Sequence, residues 1–239
     1  MGEKIVLICV FLGFAIPHFA TAGTYSQCAE YLRAAGLRVR TWNRQPLFTS
    51  STSPIKIGLL ISPDFIYEGT PDVKWFGLSD VKNRRVLQII DANEINDPQK
   101  LKTSLEDLAK KNDVVAILAH GNPATVALNE KFSITAENIP LIESAFGKPL
   151  LLISCGAGMC SISGEEAVHF SASPQAIDLR EQIAVQLAMR SGFNRVIAPN
   201  YTIQRGLDWL PTIGMFGFLP TGVRGSKSSR WRIFERISD

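Results

Sequence analysis

Two residues in this chain have the side chains and the placement for covalent chemistry. His120 closes the run Val-Val-Ala-Ile-Leu-Ala-His-Gly, and Cys155 closes the run Pro-Leu-Leu-Leu-Ile-Ser-Cys-Gly, 35 positions later. Each is a continuous apolar stretch that ends in one reactive side chain and then a glycine. Continuous apolar runs of this length are what strands buried on both faces of a parallel sheet require. Function in such sheets collects at the carboxyl ends of the strands. A thiol needs a base or a nearby cation to become a thiolate, and imidazole titrates near neutral pH. The pair therefore points to nucleophilic catalysis by Cys155 with His120 as base. Gly121 and Gly156 follow the two residues and allow a substrate to approach the backbone, whose N–H groups are candidate oxyanion donors.

Other chemistries find less support. Beyond an N-terminal leader only His120 and His169 remain as histidines, and their spacing to Cys155 and Cys160 matches no usual zinc pattern, so no metal is expected. No Gly-x-Ser-x-Gly turn is present for a serine nucleophile. Ser154 precedes Cys155, and neighbouring side chains of an extended strand face opposite ways. No phosphate-cradling glycine motif follows a strand, and no cofactor is expected. His169, in the loop after Cys155, is an alternative base on a less firmly held segment.

The elements that must position the pair follow from periodicity. Strands are expected at residues 55–62, 85–91, 114–119, 149–154 and 195–198. Asn96-Asp97-Pro98 predicts a helix start, with Leu101, Leu105 and Leu108 on one face through Lys111. Residues 137–146 are expected as a short helix stopped by Gly147, and residues 174–191 as an amphipathic helix stopped by Gly192. Residues 64–80 are expected as a loop, with Trp75 and Phe76 either packing over the sheet or lining a pocket. Residues 156–173 predict a glycine- and serine-rich loop at the active edge. Residues from 200 onward predict a loop over the same edge, and 231–237 a final edge strand. Strand–helix alternation across 55–198 argues for one α/β domain with a mainly parallel sheet.

Bulk properties narrow the class further. The 239 residues carry 25 Lys and Arg against 22 Asp and Glu, a net charge of +3 spread along the chain, which gives no case for nucleic acid. Residues 1–22 read as a signal peptide: Lys4, an apolar core at 5–16, and Ala20-Thr21-Ala22 for cleavage. The expected product is secreted or periplasmic, with no stable membrane span after cleavage. Residues 23–54 read as an N-terminal arm and linker, with a helical pattern at 29–35 followed by polar, irregular sequence, and residues 55–239 as the α/β domain. Cys28, Cys155 and Cys160 remain after cleavage, an odd number. Either Cys155 pairs with Cys28 or Cys160, or Cys28 pairs with Cys160 and leaves the Cys155 thiol available.

An apolar strand ending in Ala119-His120-Gly121, followed by one ending in Ser154-Cys155-Gly156, resembles the caspase-like cysteine peptidases. That group includes caspases, gingipains, clostripain, legumains and the self-cleaving protease domains of bacterial toxins. Val196-Ile197-Ala198-Pro199 and Phe218-Leu219-Pro220-Thr221-Gly222 are similar to segments of caspase-like domains in bacterial polymorphic toxins, so the resemblance spans about residues 55–222. It implies a single three-layer caspase-like domain and a thiol protease acting on a protein or peptide substrate, which the leader would export. The alternative is a non-catalytic caspase-like binding module whose Cys155 is inert or disulfide-bonded.

Overall fold

The computed structural model describes residues 25–43, 45–48, 53–71, 78, 84–160, 180–200, 215–216 and 231–237. The expectations for the leader, for Trp75 and Phe76, for His169, for 161–173 and for most of 200–229 lie outside the described residues.

The chain begins with helix α1 (Tyr25–Ala34) and strand β1 (Leu37–Thr41). Strand β2 (Ile55–Ile61) follows, then a small hairpin of β3 (Ile66–Tyr67) and β4 (Thr70–Pro71). Glu68 and Gly69 both take positive φ between β3 and β4, as a tight two-residue hairpin turn demands. Strand β5 (Arg84–Asp91), helix α2 (Pro98–Lys111) and strand β6 (Val114–Leu118) complete the first half. Short strands β7 (His120–Gly121), β8 (Val126–Ala127) and β9 (Ser133–Ile134) form a small antiparallel sheet. Strand β10 (Pro149–Ile153), helix α3 (Ile183–Arg190), strand β11 (Arg195–Pro199) and strand β12 (Trp231–Arg236) close the fold.

One seven-stranded sheet runs in the order β1-β12-β11-β10-β6-β2-β5. The five strands expected from sequence, β2, β5, β6, β10 and β11, are all mutually parallel neighbours in it. At the other side, β12 runs antiparallel to β11, and β1 antiparallel to β12. The protein is thus α/β with a mostly parallel sheet.

The apolar strands are buried on both faces, and the two faces feed different clusters. Val115, Ile117, Ala119, Leu150 and Leu152 join one with Leu32, Leu101, Leu105 and Leu187. Val114, Ala116, Leu118, Leu151 and Ile153 join the other with Trp42, Phe48, Leu78, Met215 and Phe216. Helices α1, α2 and α3 pack into the first cluster, and among the described residues Trp42, Phe48, Leu78, Met215 and Phe216 cover the second face. Burying one leucine is worth roughly 1.5–3 kcal/mol, so this double burial is what makes the strands so uniformly apolar.

Helix α2 forms where its signals predict. The Asp97 side chain accepts from the Lys100 N–H at 2.8 Å, Pro98 takes the first helical position, and Leu101, Leu105 and Leu108 are buried. Three expectations are corrected. Residues 137–146 hold only a 3-10 turn at Glu143–Ala145. Pro140 disfavours helical backbone at Ile139, and Asn138 is committed to a turn through reciprocal bonds with Thr135. Of the helix expected at 174–191, residues 174–179 lie outside the described residues, and in the described part α3 starts only at Ile183: Gln182 is extended, and the Ile183 N–H is taken by the Pro123 carbonyl at 2.8 Å. The sequence after α1, expected to be irregular, is strand β1, which covers β12 and makes that strand interior rather than an edge. Leu37 and Val39 face the core, while Arg38 and Arg40 on the alternate face both bind Glu235.

Candidate functional site

The site lies where β2, β6 and β10 end together. At the opposite end of β2 and β6 the register is pinned: the Lys56 N–H donates to the Asp113 carboxylate and the Asp113 N–H to the Lys56 carbonyl, each at 2.9 Å. From there Ile57 pairs with Val114 and Ile61 with Leu118. Strand β10 lies on the other side of β6, with Leu150 opposite Val115 and Ile153 opposite Leu118. At the carboxyl edge the Ser62 N–H donates to the Leu118 carbonyl at 2.9 Å, and the Ala119 N–H to the Ile153 carbonyl at 3.3 Å. Three chain exits are thereby tied to one another.

His120 is the second residue past Leu118, and Cys155 the second past Ile153. The matched offset brings both to one edge of neighbouring strands, which lie about 4.8 Å apart. Side-chain alternation assigns the faces. His120 continues the set Val114, Ala116 and Leu118, and Cys155 follows Leu151 and Ile153 in the turn that begins directly after β10. A direct contact agrees: the Phe65 ring, itself packed against that cluster, lies with its centroid 4.7 Å from the imidazole centroid. His120 is exposed and Cys155 half-buried.

Ser154 and Gly121 occupy the opposite face. Ser154 is buried, and a Cβ built on Gly121 would stand 2.2 Å from Ser154 Oγ and 2.5 Å from the Thr125 carbonyl oxygen. Gly121 therefore has a packing reason to be glycine: no larger residue fits over Ser154 here. Gly156 takes a φ of +64°, a conformation that favours glycine, and so turns the chain sharply after Cys155. The turn continues until the Gly158 N–H reaches the Pro199 carbonyl at 2.7 Å, which ties it to the end of β11.

The cysteine question resolves into one disulfide, between Cys28 and Cys160, with Cα atoms 5.5 Å apart. Cys155 stands outside it. The bridge joins α1 to the turn that follows Cys155, five residues beyond the thiol.

Sequence reasoning missed Asp64. It sits on a 3-10 turn, Pro63–Phe65, directly past β2, the other neighbour of β6. Asp64 Oδ2 is 3.8 Å from His120 Nε2, with the two side chains 63% and 60% exposed. The edge thus carries Asp64, His120 and Cys155 on the exits of three successive strands. The signal available in sequence was the Ser62-Pro63-Asp64 exit from the first strand, which looked like loop because an acidic residue after a proline is ordinary loop composition. Among the described residues no group of three or more His, Cys, Asp or Glu could hold a metal ion. Among them, too, no helix is long and apolar enough to cross a membrane. No protein-family model matches the chain, and no curated protein is similar to it in sequence.

Proposed function

We propose that this protein is an exported cysteine peptidase of caspase-like design, using a Cys155–His120 dyad. The observation that supports the reading most is the register of β6 and β10, Leu118 opposite Ile153, with His120 and Cys155 at equal offsets past that rung on neighbouring strand exits. The Cys155 thiol passes its proton to His120 and attacks the scissile carbonyl carbon. An S–C bond forms, and the carbonyl oxygen becomes an oxyanion that backbone N–H groups beside Gly121 and Gly156 stabilise. Collapse breaks the C–N bond as the imidazolium gives its proton to the departing amine. Water then attacks the thioester, His120 accepts its proton, and the S–C bond breaks to release the carboxylic acid product and regenerate the thiol. The substrate is a protein or peptide lying across the open edge.

The test is iodoacetamide labelling of the native protein, read by peptide mass spectrometry. Selective, His120-dependent alkylation of Cys155 supports the enzyme. Equal, slow labelling in wild type and His120→Ala, with no cleavage of a fluorogenic peptide pool, identifies an inert thiol and a binding module. Export is tested separately: the secreted chain is expected to begin near Gly23, and an intact Met1 there overturns a cleaved leader.

A further inference from the structure

We infer that Asp64 is a positioning residue for His120, an inference that rests on the dyad proposed above. The 3-10 turn Pro63–Phe65 presents two groups to one imidazole: the Asp64 carboxylate at 3.8 Å from Nε2, and the Phe65 ring at 4.7 Å between centroids, tilted by 38°. A carboxylate on one ring nitrogen and an aromatic wall against the ring restrict how the imidazole turns about its side-chain bonds. With Nε2 directed at Asp64, Nδ1 is the nitrogen left for the thiol.

The placement is built into the sheet rather than left to a wandering loop. The turn begins at Ser62, whose N–H is bonded to the Leu118 carbonyl two residues before His120. Asp64 and His120 are therefore held on adjacent strand exits, on the opposite flank of His120 from Cys155. The gap of 3.8 Å is within ion-pair range and longer than a hydrogen bond. Catalytic hydrogen bonds often tighten only when substrate is bound. A peptide lying over this edge would exclude water from two side chains that are now mostly exposed, and so strengthen their attraction. Asp64 then favours the imidazolium that accompanies a Cys155 thiolate, and steers the ring that must return the proton.

The experiment compares the full chain with Asp64→Asn, Asp64→Glu, His120→Ala and Cys155→Ala at neutral pH. Thiolate absorbance at about 240 nm and the rate of Cys155 alkylation by iodoacetamide are read for each, with thermal midpoints as a folding control. The expected result is a loss of thiolate signal and a roughly two- to fivefold slower alkylation in Asp64→Asn. Asp64→Glu restores most of both, and the thermal midpoint does not move. A purely structural role would move the midpoint and not the thiolate signal, and would overturn the inference. Wild-type alkylation and absorbance in Asp64→Asn, with both lost in His120→Ala, overturn Asp64 alone and leave the dyad standing. A signal that is absent from wild type and unaffected by His120→Ala overturns the dyad itself.

Discussion

Leu118 and Ile153 are register partners on the last rung shared by β6 and β10, and each is followed two residues later by a side chain able to take part in acyl transfer. The rung converts two distant pieces of sequence into one edge. Under the dyad reading, Cys155→Ala is expected to abolish peptide cleavage and His120→Ala nearly to abolish it. Neither should unfold the protein. His120 is exposed, so its replacement should change stability by no more than about 0.5 kcal/mol. Turnover and urea midpoints of the two variants check this, and full activity in Cys155→Ala refutes the assignment.

The Cys28–Cys160 bridge closes a loop with a sequence separation of 132. Cross-linking so long a loop restricts the unfolded chain, and its loss is expected to cost about 3–5 kcal/mol. The double variant Cys28→Ser, Cys160→Ser should therefore unfold at markedly lower denaturant while Cys155 still alkylates at the wild-type rate under native conditions. Loss of that rate along with stability would show that the turn after Cys155 depends on the bridge for its shape.

Gly121→Ala is expected to destabilise the protein by about 1–3 kcal/mol, because the new Cβ meets Ser154 Oγ and the Thr125 carbonyl. Adding Ser154→Ala removes one of the two clashes, so the double variant should recover part of the loss. A denaturation cycle over the four proteins measures that coupling. Strict additivity would mean that the backbone relaxes away from Ser154 instead.

Glu235 supplies a pH dependence. It lies almost fully buried beneath Arg38, Arg40 and Arg195, at 2.7, 2.9 and 3.2 Å. Burial pushes its carboxyl up, but hydrogen bonds and charge from Arg40, with Arg38 and Arg195, outweigh this and hold it below the usual carboxylate range. A lowered value in the folded state means that the stabilisation is present above the ordinary glutamate range and is lost as pH falls through the folded value. Glu235→Gln should be less stable at neutral pH, by about 1–3 kcal/mol, since three partly exposed arginines lose their shared partner. Its midpoint should also fall less steeply toward about pH 3. Urea midpoints across that range decide it: parallel curves for the two proteins would exclude Glu235 as a source of acid sensitivity.

The sequence by itself determined what depends on neighbours along the chain. Runs such as Val-Val-Ala-Ile-Leu can bury both faces only inside a covered sheet, so the parallel strands were legible. Helix α2 was legible because Asp97, Pro98 and three leucines at helical spacing all favour the same conformation. The presence of His120 and Cys155 at strand exits was legible for the same reason. Only the tertiary structure decided which residues meet. It ordered β2, β6 and β10 side by side, placed Asp64 against His120, paired Cys28 with Cys160, and drew β1 onto β12 through Leu37, Val39 and the Arg–Glu235 contacts. It also set the start of helix α3 at Ile183, with Gln182 extended before it and the Ile183 N–H taken by a carbonyl from the Pro123 loop. Apolar periodicity states that a strand or helix must be covered and is silent on what covers it. Register, disulfide partner and the acid beside the imidazole are set by contacts between segments far apart in the chain, and local sequence carries no record of those.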